Sequence, residues 1–202
     1  AFDELVNLKP VHQRTTAAYV MSAKSYFQSK NYSASSARSL ELLNGFSSTS
    51  YRADAFLLLG LNDLLLQKYD EAAQRFLEAR SAAKDTALSR EALSYFELLI
   101  SDRLNIEALT KLFRGITEQA PRDLVAVTLA EKYHAAGDGI RAGEMLSAVS
   151  KEARSASLNN RIRQLRQNLT TNTSMKIGVL LPVTSSSTSG AVSALTNEVF
   201  DG

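Results

Sequence analysis

The chain has no cysteine, no tryptophan, only 3 prolines and 9 glycines in 202 residues, and no surplus of one charge sign. Each shortage excludes something. Without cysteine there is no disulfide framework, no zinc ribbon, no iron–sulfur cluster and no thiol nucleophile. So little glycine and proline rules out collagen-like and low-complexity chains. A balance of 23 Lys+Arg against 21 Asp+Glu, +2 overall, is too even to predict nucleic-acid binding. No apolar run approaches the roughly 20 residues needed to span a bilayer. The start, Ala-Phe-Asp-Glu, has no signal-peptide pattern and reads as a mature or trimmed beginning, with any targeting signal upstream.

What is present is helix. A 45% hydrophobic fraction is enough to build a core. From residue 14 to about 168, Leu, Ala, Glu, Arg, Lys and Gln dominate, and apolar residues recur at three and four. Residues 169–175 then read as a polar linker. The run Lys176-Ile-Gly-Val-Leu-Leu-Pro182 reads as a buried strand, followed by a Ser/Thr loop and a helix-like start at 191–200.

Internal repeats organise the helical part. The clearest unit, residues 53–86, carries Phe56, Leu59-Gly60, Lys68-Tyr69-Asp70-Glu71-Ala72, Phe76 and Ala79. It resembles the tetratricopeptide (TPR) pattern. Small Gly60 and Ala72 suit a close helix crossing, and Phe76 and Ala79 face back into the pair. Weaker copies fall at about 16–49, 89–122 and 123–154. Their crossing residues Ser35, Ala72, Ala108 and Ala142 are spaced by 37, 36 and 34. A closing helix over 151–168 ends the stack, and its arginines supply a polar outer face. The expected fold class is therefore all-α: a TPR-like α-solenoid over residues 1–168, with a strand/helix fragment of an α/β domain at 176–202. The alternative is a plain antiparallel bundle with chance spacing.

Catalytic chemistry is not expected. His12 and His134 are far apart, and a lone helical histidine is usually a surface or packing residue. Nucleophile elbows, phosphate-binding glycine loops and His-Glu-x-x-His pairs are all missing from the sequence. No cofactor or metal is expected. The basic stretch from Lys151 to Arg166 reads first as a solvated face and second as a site for an anionic partner.

In TPR stacks the first helix of each pair lines a groove. The repeat frame places Val20, Lys24 and Phe27 there in the first unit, and Leu57, Leu61 and Leu64 in the second. Leu93, Glu97 and Ile100 follow in the third, with Val127, Glu131 and His134 in the fourth. The set is apolar. Two readings stand: these residues are core, the favoured one, or the groove receives an apolar helix or peptide.

The C-terminal run resembles the first strand of type I periplasmic-binding-protein domains. That resemblance implies a ligand loop at Thr184, Ser185, Ser186, Ser187 and Thr188. TPR-like repeats joined to such a domain resemble the LpoA class of penicillin-binding-protein activators. This implies a non-enzymatic periplasmic lipoprotein, anchored to the outer membrane, that activates a peptidoglycan synthase by protein contact. Its partners would be that synthase and its own C-terminal domain. Nucleic acid would play no part, and a membrane would be reached only through a lipid anchor whose cysteine this chain does not contain. The alternatives are a ligand-sensing periplasmic receptor with the repeats as spacer, and a cytoplasmic TPR co-chaperone.

Overall fold

A computed structural model describes residues 2–7, 14–150 and 155–172. Two compact units divide the chain, residues 1–171 and 172–202, and almost all of the second lies outside the described residues. The expected strand and ligand loop, Thr184 to Thr188, fall there.

The described residues are all-helical, without strands. The order is α1 (Phe2–Val6), α2 (Thr15–Gln28), α3 (Tyr32–Gly45), α4 (Arg52–Leu65), α5 (Tyr69–Ala82), α6 (Thr86–Asp102), α7 (Ile106–Gly115), α8 (Gln119–Ala135), α9 (Gly139–Ser147) and α10 (Ala156–Asn172). Helices α1 to α9 pack mainly on neighbours in sequence. First helices also touch the next first helix, α2 on α4, α4 on α6 and α6 on α8. This is the layout of an α-solenoid. α1 is tied on by Asp3, which accepts hydrogen bonds from Ser22 (2.6 Å), Tyr26 (2.7 Å) and Arg38 (3.1 Å).

The tightest crossing is in the second pair. A Cβ placed on Gly60 would lie 2.6 Å from the Phe76 ring, which is fully buried and has nowhere to go. Ala72, Ala73 and Ala79 of α5 are fully buried too, so small residues line the α4–α5 contact. The repeat steps of 37, 36 and 34 carry position 60 to Ala23, Phe96 and Ala130. Three of the four crossings therefore have Ala or Gly, and the third has phenylalanine.

The turns inside the pairs follow the same division. In the first, second and fourth units a residue with left-handed backbone ends the first helix: Lys30 (φ 62°), Gln67 (φ 61°) and Gly137 (φ 81°). Each turn closes with the same two bonds. Asn31 N–H donates to Tyr26 C=O, Lys68 to Asp63 and Asp138 to Tyr133, beside bonds from Lys30 to Phe27, Gln67 to Leu64 and Gly137 to His134. This double closure satisfies the last carbonyls of the helix. The third turn differs. Arg103 stands at the corresponding place with φ −113°. The next residue is apolar Leu104, buried at 5% exposure, where the other turns have Asn31, Lys68 and Asp138. Asn105 caps instead, accepting from Ala108 N–H at 2.9 Å, so α7 starts one residue late in the frame.

Phe96 in the crossing and Leu104 drawn into the core act together. α6 and α7 lack the close backbone approach of the other three pairs, and α7 packs on α8. The expectation that Ala108 is a buried crossing residue like Ser35, Ala72 and Ala142 is therefore corrected. Those three are fully buried, whereas Ala108 is half-exposed, and Leu109 is the buried residue of α7.

The closing helix also departs from its expected limits. α10 continues to Asn172, four residues into the expected linker 169–175. Its apolar stripe explains the extension: buried Leu158, Ile162 and Leu165 continue to Leu169, which packs against the core.

Gly60→Ala is expected to cost about 1–3 kcal/mol by overpacking the crossing. Gly143→Ala, on α9 with no atom near its Cβ position, is expected to gain about 0.5–1 kcal/mol. Chemical denaturation of the two variants checks this. Equal midpoints would mean that the Gly60 crossing is not tight.

Candidate partner-binding surfaces

The groove residues named from the repeat frame divide by burial. Val20 (5% exposed), Leu57 (8%) and Ile100 (0%) belong to the core, as does Val127, so they are not open to a partner. Their burial is what covering the apolar stripe of α2, α4, α6 and α8 requires. Leu61, Leu64 and Leu93 are half-buried and pack against the same core. Phe27 is half-buried beside Tyr32, with ring centroids 5.6 Å apart. His134 is half-buried in the last turn of α8. Lys24 is exposed, and its Nζ lies 3.3 Å from Asp54 of α4.

Glu97 and Glu131 occupy equivalent places on α6 and α8, and one side chain of α10 takes both. Arg161 donates Nε and Nη2 to Glu131 (2.8 and 2.7 Å), Nη1 to Glu97 (2.8 Å) and Nη2 to Thr128 Oγ1 (3.2 Å). The fork matches the Glu131 carboxylate at two points, a geometry that lysine cannot supply. The hydrogen bond to Glu131 is the leading reason that the guanidinium pKa lies above its ordinary value, against the opposing effect of burial. Arg161 is thus turned inward as a clasp between three helices, which corrects its expected place on a solvated outer face. Spacing alone does not reveal it, because the contact to Glu97 spans 64 residues.

The displacement of α7 leaves an opening that the repeat frame does not predict. A cleft of about 360 Å³ lies between α5, α7 and the start of α8. Its floor is apolar: Ala73, Leu77, Leu104, Ala108, Leu112 and Ile116. Two ion pairs bridge it. Lys111 of α7 reaches Asp70 of α5 at 3.8 Å, and Arg80 of α5 bonds Glu118 at the head of α8. Asp70 and Arg80 are ten residues apart on one helix, about 15 Å. An apolar floor with charges at both ends suits an apolar side chain or helix edge from a partner. The sequence signals were Phe96 at a small-residue position and Leu104 at a polar turn position.

Among the described residues no cluster of three or more His, Cys, Asp or Glu side chains is placed to hold a metal ion. No described helix is long and apolar enough to cross a membrane. Comparison with protein-family models, with curated proteins and with solved structures finds no match for this chain.

Arg161→Gln leaves Glu97 and Glu131 without their shared cation. Both carboxylates are more than a third exposed, so water offsets part of the loss. The expected cost is about 1–2 kcal/mol. Amide exchange in α10 is expected to speed up before exchange in α4 and α5. A uniform change across all helices would show that Arg161 does not act as a local clasp.

Proposed function

We propose that this chain is a non-enzymatic adaptor module whose repeats bind a partner protein. The observation that carries the reading is the open cleft between α5, α7 and α8, with its apolar floor and bridged rim. A repeat stack buries the apolar faces of its helices against neighbouring repeats, so one unit held off register exposes an apolar strip for other use. The first-helix face offers less. Its apolar residues are largely committed to the core, Glu97 and Glu131 are held by Arg161, and Lys24 faces Asp54. A co-chaperone grips a peptide carboxylate with several cations on that face, and Lys24 alone does not supply this.

The resemblance to the LpoA class supplies the specific form of the proposal. The partner is a bifunctional peptidoglycan synthase, the setting is the periplasm, and a lipid anchor outside this chain ties the full-length protein to the outer membrane. Activation works by contact, with no bond made or broken by this chain.

The test uses immobilised full-length protein and a purified peptidoglycan synthase. Capture of the synthase is expected, and Ala108→Phe, which fills the cleft, is expected to weaken it about tenfold, equivalent to about 1.4 kcal/mol. Because Ala108 is half-exposed, the variant is expected to melt no lower than the parent. No capture rejects the synthase as partner. Capture unchanged by Ala108→Phe rejects the cleft as its site.

A further inference from the structure

The charge of this chain is unevenly placed. α10 holds three arginines and no acidic residue in 17 residues. The rest of the chain then carries 20 Lys+Arg against 21 Asp+Glu, so the net positive charge resides in the closing helix. No other described helix combines more than one cation with no anion. Elsewhere cations stand beside acids, within one helix as in Arg38–Glu41 and Arg75–Glu78, or across elements as in Lys24–Asp54 and Arg80–Glu118.

Within α10 the arginines have separate fates. Arg161 is spent on Glu97 and Glu131. Arg163 and Arg166 are exposed, and neither has an acidic partner among the described residues. With Asn159 they form a row at i, i+4 and i+7 on one exposed side of the helix, rising about 10 Å along its axis. A terminal helix needs polarity on its outer face, and Asn159, Asn160, Gln164 and Asn168 already provide that. Two arginines without an acidic partner among the described residues go beyond that need.

The chemistry of the row selects among anionic partners. A membrane surface is disfavoured because α10 has no aromatic residue, and Leu158, Ile162 and Leu165 are buried and cannot insert. Two exposed arginines attract an anionic leaflet by only about 1 kcal/mol each. A nucleic acid is disfavoured because its binding strength grows with the number of phosphates neutralised, and two arginines neutralise few. Guanidinium forks match carboxylates, and a helix with acids at i, i+4 and i+7 repeats the spacing of this row. We infer that the Asn159–Arg163–Arg166 row of α10 is a docking surface for an acidic helix of a partner protein, one that presents carboxylates along a single face. The surface uses different residues from the cleft and does not depend on the cleft's occupant.

The test titrates the protein with an alanine-based helical peptide that carries glutamates at i, i+4 and i+7, and with a peptide of the same composition whose glutamates are spread around the helix. The one-faced peptide is expected to bind more tightly, and its binding is expected to weaken with added salt. Arg163→Gln/Arg166→Gln is expected to reduce its affinity about tenfold, while Arg75→Gln/Arg141→Gln, which removes the same charge elsewhere, changes it less than about twofold. Both arginines of the row are exposed, so the variant is expected to keep the parent melting temperature, unlike Arg161→Gln. No binding, equal binding of the two peptides, or equal losses in the two double variants would overturn the inference. So would binding to anionic vesicles or duplex DNA in preference to the one-faced peptide.

Discussion

The stack depends on how closely a first helix can approach its second. Where α4 crosses α5 the distance is set by the absence of a side chain at Gly60, whose place is taken by the ring of Phe76. Ala23 and Ala130 hold the same position in the first and fourth units, and both are fully buried, as are Ser35 and Ala142. Small residues at a crossing let many backbone and Cβ atoms touch, and the interior then reaches the density that a two-layer stack needs. The repeated turn at Lys30, Gln67 and Gly137 follows from the same constraint, since a fixed reversal brings the second helix back at a fixed angle. A left-handed backbone at Lys30 and Gln67, which are not glycine, is a local cost that this return angle offsets.

The third unit shows what happens when the constraint is relaxed. Phe96 occupies the crossing, Leu104 enters the core, and α7 begins a residue late and leans on α8. Two results follow from one cause. The core keeps its apolar volume, because Phe96, Leu99 and Leu109 are all fully buried. The surface gains an apolar cleft beside α5. Regular repeats hide such surfaces, so in this stack the proposed partner site arises where the repeat is broken.

Much of this was legible in the sequence. Periodicity of three and four gives the helices, and the 37, 36 and 34 steps give their pairing order. Two things were not legible. The frame treats Ala108 as equivalent to Ala72 because residue type and spacing agree, yet the partner across the crossing is Phe96 instead of glycine. Pattern matching along one strand of sequence does not weigh the facing residue. Similarly, Arg161 looks like its neighbours Arg163 and Arg166 until the fold brings Glu97 and Glu131 to it. Burial of Val20, Leu57 and Ile100 agrees with the plainer of two readings, in which an apolar residue on a two-layer stack is core. The extension of α10 past residue 168 is visible in retrospect as Leu169 continuing a stripe that the polar residues around it obscure.

If the bulk of Phe96 holds α7 away from α6 and so opens the cleft, a smaller residue there lets the two helices approach. A distance measurement tests it most directly. The chain has no cysteine, so spin labels can be placed uniquely at Glu91→Cys on α6 and Arg114→Cys on α7, both exposed. In the Phe96→Ala background the mean label separation is predicted to shorten by about 1–2 Å, the range over which interaxial distances respond to side-chain size. An unchanged or longer separation in a folded Phe96→Ala protein would contradict it.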